Sequence, residues 1–276
     1  MSVSDRFDQI FLALNEQQRR ELKYAIDPVQ FAKALGIDPD PWQVQVLRSE
    51  SSRIILNCAR QSGKSTIVAV VALHHALNNP NSLVLVVSHI YRQATETFRK
   101  IARFYQEIDT PILSVTENVH RLELQNGSRI ITLSGQHPQS IRGFSGPTLV
   151  IIDEASQVID ETYTEAIRPM LAVSEGKLIL LSTPHGKRGF FWDVWNDYEQ
   201  SNIGGWQGIK LNANQCPRIS LDFLAEEKQL KPDWMFLQEY MNHFAEGISS
   251  VFKAEDIDRA FHDDIFSRDD LDLEVD

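Results

Sequence analysis

Residues 53–78, RIILNCARQSGKSTIVAVVALHHALN, restrict the possible fold more than any other stretch of the chain. An apolar, strand-like run breaks into a turn carrying Gly63, Lys64 and Ser65, then resumes at once as a segment of small and apolar residues suited to a helix packed on a sheet. A strand that breaks at glycine and opens a helix converges backbone N–H groups and the helix N-terminus on one point, where phosphate oxygens are held. Gly63 permits close backbone approach, Lys64 can reach terminal phosphates and the Ser65 hydroxyl can ligate Mg²⁺. The usual pattern, G-x-x-x-x-G-K-[ST], has its first glycine where this chain has Cys58. The match is therefore partial, and the surroundings decide.

A second motif supplies that context. LVIIDEAS places Asp153 and Glu154 directly after a buried-strand run, at the strand end where open α/β sheets hold their ligands. An acid there can hold a magnesium shell while its neighbour polarises a water for attack on a γ-phosphate. An acidic helix start would also account for the pair, but it leaves the upstream loop unexplained. LLSTPHG is a third strand-to-loop break, and a hydroxyl such as that of Thr183 at its tip can sense the γ-phosphate; any strand-to-loop turn also fits it.

The rhythm between these motifs predicts a mainly parallel α/β sheet flanked by helices. Apolar strands are expected at 53–57, 83–88, 148–153 and 177–183, with a helix from Tyr91 to Glu107. Asn126-Gly127 between two alternating segments predicts a β-hairpin, and that pair favours a type I′ turn. An amphipathic helix is expected over 5–24 and a short one from Pro28 to Leu35, before a helix opened by Pro41. After Thr183 the chain reads as aromatic-rich helices and loops, with helices near 220–230 and 233–243. The expected organisation is an N-terminal helical segment (1–40), a nucleotide-binding core (41–200), a small helical lid or linker (201–253) and an acidic tail (254–276).

The net charge of −11 argues at first against a nucleic-acid partner. Its distribution removes the objection, because residues 254–276 hold ten acidic and two basic side chains, whereas 91–146 hold seven basic and five acidic ones. Two distant cysteines, Cys58 and Cys216, suggest neither a disulfide framework nor a zinc site, which fits a reducing cytosol. No apolar run approaches the length of a membrane span.

Taken in order, WQ (42–43), ARQSGKST (59–66), SIRGFSG (140–146), LVIIDEAS (149–156) and LLSTPHG (180–186) resemble the ATPase domain of the large terminase subunit of tailed bacteriophages, over roughly residues 30–250. In that family the first loop glycine is commonly replaced, so Cys58 is tolerated. The resemblance implies a RecA/ASCE-type P-loop NTPase that binds ATP and Mg²⁺. It implies nucleotide contacts from Arg60, Gln61, Ser62, Gly63, Lys64, Ser65, Thr66 and Thr183, a metal pair of Ser65 and Asp153, and water activation by Glu154. Gln43 resembles the residue that recognises adenine, although a solvent-facing helix glutamine is the plainer alternative. Arg60 resembles the loop arginine beside the phosphates, or points to solvent. Arg142 resembles the finger that one subunit of a ring inserts at its neighbour's γ-phosphate, where a guanidinium offsets developing charge; a surface arginine near glycine is the alternative.

The same likeness implies double-stranded DNA, a portal protein and a small terminase subunit as partners, self-association into a ring, and action in the host cell cytoplasm without a membrane. Arg99, Lys100 and Arg103 on a predicted helix, with Arg121 and Arg129 flanking the hairpin, are the candidates for gripping DNA phosphates; ordinary solvated charges explain them equally well. The family's nuclease domain does not fit in 276 residues, and the final acids read as a solvated charge run, so no nuclease activity is expected of this chain. Two other readings are a superfamily 2 helicase, which needs two such cores, and a nucleotide-gated binding module, which would not need Glu154.

Overall fold

The computed structural model describes residues 13–108 and 112–245. Three short helices, α1 (Glu16–Ile26), α2 (Pro28–Ala34) and α3 (Pro41–Leu47), precede β1 (Arg53–Cys58). The core continues through α4 (Lys64–Asn78), β2 (Leu83–Ser88), α5 (Tyr91–Glu107), β3 (Ser114–Asn118), β4 (Arg121–Leu124), β5 (Arg129–Ser134), α6 (Pro138–Arg142) and β6 (Leu149–Asp153). After β6 come a 3₁₀ turn (Ala155–Gln157) and a π-helical stretch (Thr162–Ile167) that runs into α7 (Arg168–Ser174). The chain then forms β7 (Lys177–Ser182), α8 (Gly189–Gln200), β8 (Gln207–Leu211), α9 (Leu221–Leu230) and α10 (Asp233–Met241).

The strands make one eight-stranded sheet in the order β3-β4-β5-β2-β6-β7-β1-β8. From β5 to β8 all neighbours are parallel, and β4 and β3 extend the far edge antiparallel. This is the mainly parallel arrangement expected from sequence.

Alternation explains why the central strands read as unbroken apolar runs. Ile54, Leu56, Val84, Val86, Leu149, Ile151, Ile179 and Leu181 face a core shared with α2, α3, α4 and α5. Ile55, Leu85, Val87, Val150, Ile152, Leu178 and Leu180 face a second core with the π-helical stretch and α8, where Phe191 and Trp195 are buried. Both faces are covered, so both sets must be apolar. A third, small cluster joins Ala59 of the loop to Leu224 and Phe236 of α9 and α10, seating the helical appendage on the loop itself.

Four expectations need correction. The helix expected over 5–24 is interrupted at Asn15, whose side chain accepts from the Gln18 amide at 2.8 Å and caps a new helix start; residues 5–12 lie outside the described residues. The hairpin between β4 and β5 is present, but only Gly127 of the Asn-Gly pair has a positive φ, 81°. Gly127 N–H donates to Leu124 C=O at 2.9 Å and Leu124 N–H to Ser128 C=O at 2.9 Å, the pattern of a type I turn closed by a left-handed glycine rather than type I′. Asn126 is held elsewhere, its side chain donating to Ala76 C=O at 2.9 Å at the end of α4. Third, β8 lies in the segment assigned to the lid, yet pairs with β1 along its length, so the expected boundary at residue 200 falls inside the core. Fourth, β3 is a strand that the sequence pattern does not predict. The acidic tail from 254 onward lies outside the described residues.

Candidate active site

All three sequence motifs emerge at the C-terminal ends of neighbouring strands. β7 lies between β1 and β6, pairing Asn57 with Ser182 on one side and Leu181 with Asp153 on the other. The loop after β1, the Thr183 turn and the acid pair are thereby brought together with no long-range adjustment of the backbone.

The loop keeps two residues in left-handed conformations, Gln61 at φ 58° and Gly63 at φ 91°. At Gly63 a side chain is doubly excluded, because a Cβ there would come 2.9 Å from Gln43 Nε2 and 3.3 Å from Arg218 Nη2. The Cys58 thiol beneath the loop is completely buried and pushed up to about 12 by burial, which leaves it a packing group with no nucleophilic role.

Lys64 opens α4 and is itself buried. Its ammonium donates to the carbonyls of Cys58 and Ala59, each at 3.1 Å, and to Thr183 Oγ1 at 3.0 Å. Thr183 in turn donates to Cys58 C=O at 3.1 Å, tying the β7 turn to the loop. One residue on, Ser65 Oγ donates to Asp153 Oδ2 at 3.1 Å. Burial and the charge of Glu154 push the Asp153 carboxyl up to about 6, while Lys64 and the Ser65 hydrogen bond pull the other way.

Glu154 sits at φ 52°, a left-handed conformation uncommon for a glutamate and of the kind concentrated at functional sites. Its own amide donates to Asp153 Oδ1 at 3.0 Å, and its carboxylate accepts from Ser182 Oγ at 3.3 Å. The bend thus sends the two carboxylates of one dipeptide in different directions, Asp153 to Ser65 and Glu154 into a cavity of about 440 Å³. Lys64, Ser65 and Thr66 line the same cavity from the loop side, with Arg60, Gln61, Ser62, Gly63 and Thr183.

The remaining candidates divide. Gln43 is buried, 3% exposed, which rules out the solvent-facing alternative; its Oε1 accepts from the Asp40 amide at 2.9 Å and its Nε2 lies behind Gly63, outside the lining of the cavity. Arg60 lines the cavity and pairs with Glu239 of α10. Arg142, at the end of α6, pairs with Glu165 on the surface and does not line the cavity of its own chain. Of the DNA candidates, Arg99, Arg103 and Arg121 pair with Glu96, Glu107 and Glu123, and Arg129 stands half-buried at the start of β5. Lys100, the remaining DNA candidate, is half-buried and lines the cavity together with Glu154.

Sequence reasoning missed Gln93, Gln157, His185 and Glu239, which also line the cavity, and Arg218. The Arg218 guanidinium donates to Asp40 Oδ2 at 2.5 Å and to Ser62 C=O at 2.7 Å, linking the region before α9 to both the loop and the Gln43 segment. Asn242 closes the appendage, its side chain donating to Asn57 C=O at 3.0 Å. None of these stands in a local motif; only the fold collects them.

Known proteins resemble this chain in sequence and in fold. Residues 55–259 match the family model described as terminase large subunit, T4-like-virus type, N-terminal. The terminase large subunit of Thermus phage G20c is 26% identical over 266 residues, covering 83% of this chain and 53% of that protein. This chain therefore spans about half the length of the curated relative it matches. In fold it is similar to the large terminase ATPase domain of Thermus phage P74-26, with a TM-score of 0.68 and 23% identity over 79% of this chain and 99% of that one. It is also similar in fold to the large terminase of a thermophilic bacteriophage in complex with ATP-γ-S, with a TM-score of 0.57 and 12% identity over 74% of this chain and 52% of that one. Loop, acid pair and family model coincide along the same residues, and the chain belongs to the large terminase subunits of T4-like-virus type, whose N-terminal region it carries.

Proposed function

We propose that this chain is the ATP-hydrolysing motor domain of a viral DNA-packaging terminase, moving double-stranded DNA into a procapsid as one subunit of a ring. The observation that carries the reading is the convergence of Lys64, Ser65 and Glu154 on one cavity at the C-terminal edge of the sheet, with Asp153 hydrogen-bonded to Ser65 beside it. The family match supports the same assignment, as does the nucleotide named in the thermophilic phage terminase complex.

Ser65 Oγ and Asp153 Oδ2 are hard oxygen donors side by side, the donor set Mg²⁺ prefers alongside substrate phosphates. Bound there, the cation supplies charge neutralisation at the phosphate oxygens. The chain does the rest. Backbone N–H groups of the loop and the start of α4 hold phosphate, and Lys64 adds a positive charge fixed by three acceptors. Glu154, free of the Ser65 contact, takes the proton of the attacking water. Arg142 of a neighbouring subunit completes the charge at the γ-phosphate by leaving its surface pair with Glu165, since within its own chain Arg142 does not line the cavity.

DNA, the portal protein, the small terminase subunit and further copies of this chain are the proposed partners, in the host cell cytoplasm. No described helix is long and apolar enough to cross a membrane. Phosphate release from Mg²⁺-ATP by the wild-type chain and by Lys64→Ala tests the reading. Turnover that disappears with the lysine supports it; equal turnover by both proteins contradicts it.

A further inference from the structure

We propose that Gln93 is a further catalytic residue, orienting the attacking water of ATP hydrolysis from helix α5. The inference rests on the ATPase reading above and adds a group to its site.

The topology puts α5 beside the acid pair. β2 neighbours β6 with Ser88 in register with Asp153, so the helix that follows β2 begins next to the carboxylates. Positions 93, 97 and 100 follow at helical spacing and present one face. Gln93, Thr97 and Lys100 accordingly line a second cavity of about 200 Å³, adjoining the first, together with Ser65, Asp153 and Glu154. Ser65, Gln93, Lys100 and Glu154 line both cavities.

Within that face, Gln93 Oε1 is buried and has no hydrogen-bond partner among the described residues. Leaving a buried amide oxygen unsatisfied is unfavourable, so its position calls for a donor. A phosphate oxygen cannot serve, since it too is an acceptor. A water can. Its two hydrogens need two acceptors; Glu154 supplies a carboxylate and Gln93 an unpartnered amide oxygen, and both residues line the two cavities.

In the step itself the water oxygen bonds to the γ-phosphorus and the bond from that phosphorus to the bridging oxygen breaks, its electron pair leaving with ADP. The proton of the water passes to Glu154. Gln93 accepts a hydrogen bond throughout and exchanges no proton, so ATP and water give ADP and inorganic phosphate.

The test is Gln93→Met in the 276-residue chain, which keeps the length of the side chain and removes the acceptor. Three readouts are compared with wild type: turnover, affinity for ATP-γ-S, and affinity for ADP with aluminium fluoride, which captures the water in line. The expected result is a loss of turnover and of aluminium fluoride affinity of about 10²-fold each, with ATP-γ-S binding unchanged. Wild-type aluminium fluoride affinity, or equal weakening of both nucleotide complexes, overturns the assignment. Glu154→Gln is run in parallel. If that variant hydrolyses ATP normally the ATPase reading itself fails, whereas a dead Glu154→Gln beside a fully competent Gln93→Met removes only the role of Gln93.

Discussion

Ser65 Oγ donates to Asp153 Oδ2 across 3.1 Å although 88 positions separate the two residues. β1 and β6 are not neighbours in the sheet, since β7 lies between them. The first turn of α4 therefore reaches over the end of β7, and Lys64 takes Thr183 as a partner on the way. Loop, Thr183 turn and acid pair form one hydrogen-bonded unit in this arrangement.

In the proposed mechanism Glu154 is the proton acceptor. Replacing it with glutamine preserves shape and removes the proton acceptor, so Glu154→Gln is expected to bind ATP as wild type does and to lose turnover by about 10²–10⁴-fold. Equilibrium binding of a fluorescent ATP analogue beside a phosphate-release assay checks both halves.

Gly63 holds the loop in a conformation closed to other residues. At φ 91°, with Gln43 Nε2 and Arg218 Nη2 against the position of a Cβ, Gly63→Ala is expected to cost about 1–2 kcal/mol from the left-handed backbone alone. A lower thermal midpoint together with weaker nucleotide binding is the expected outcome, and unchanged values for both would show that the loop relaxes freely.

Arg142 is half-exposed and paired with Glu165, away from the cavity of its own chain. If it acts across an interface, Arg142→Ala chains and Glu154→Gln chains are each inactive, and mixing them restores activity wherever an intact arginine meets an intact glutamate. Turnover measured against mixing ratio in assembled rings checks this, and a flat line at zero counts against a finger supplied in trans.

The α5 charges are expected to separate in function. Arg99 lies on the outer face in an exposed pair with Glu96, and such pairs are weak enough to exchange for a DNA phosphate. Arg99→Ala should weaken DNA binding at low salt and reduce the salt slope by about 1, with ATP binding untouched. Lys100→Ala should impair ATP turnover instead. Filter binding over a salt series, run beside the ATPase assay, separates the two.

Acid sensitivity is expected from His75. Burial, with smaller contributions from the charges of His74 and Lys177, pushes its imidazole down to about 4, and Nε2 lies 2.9 Å from Thr148 Oγ1. The folded protein keeps this ring neutral while the unfolded chain titrates near 6.5. Stability contributed by the neutral ring is therefore complete above that value and is lost as pH falls toward 4. His75→Gln should flatten the decline of the thermal midpoint across that window.

What is legible in the sequence is whatever local pattern dictates. The loop, the acid pair and the central strands each announce themselves within a short stretch, because strands buried on both faces must be apolar throughout. The edge strands carry no such signal: SVTEN of β3 is mostly exposed, and QGIKL of β8 buries only Ile209 and Leu211. The Asn-Gly pair predicts the hairpin but not its turn, since Asn126 spends its amide on the end of α4. Sequence groups Lys100 with the DNA candidates as a basic residue on the same predicted helix, and nothing local announces that it lines the cavity. Gln93, Glu239 and Arg218 reach the site only through the packing of α5 and the C-terminal appendage, a tertiary fact with no local spelling.

A crystal of the chain soaked with Mg²⁺ and ATP-γ-S tests the central claim most directly. The account predicts the triphosphate cradled by residues 61–66, the cation on Ser65 Oγ with Asp153 beside it, and Glu154 facing the γ-phosphate. A triphosphate bound elsewhere, or an Asp153–Glu154 pair turned away from it, would contradict the account.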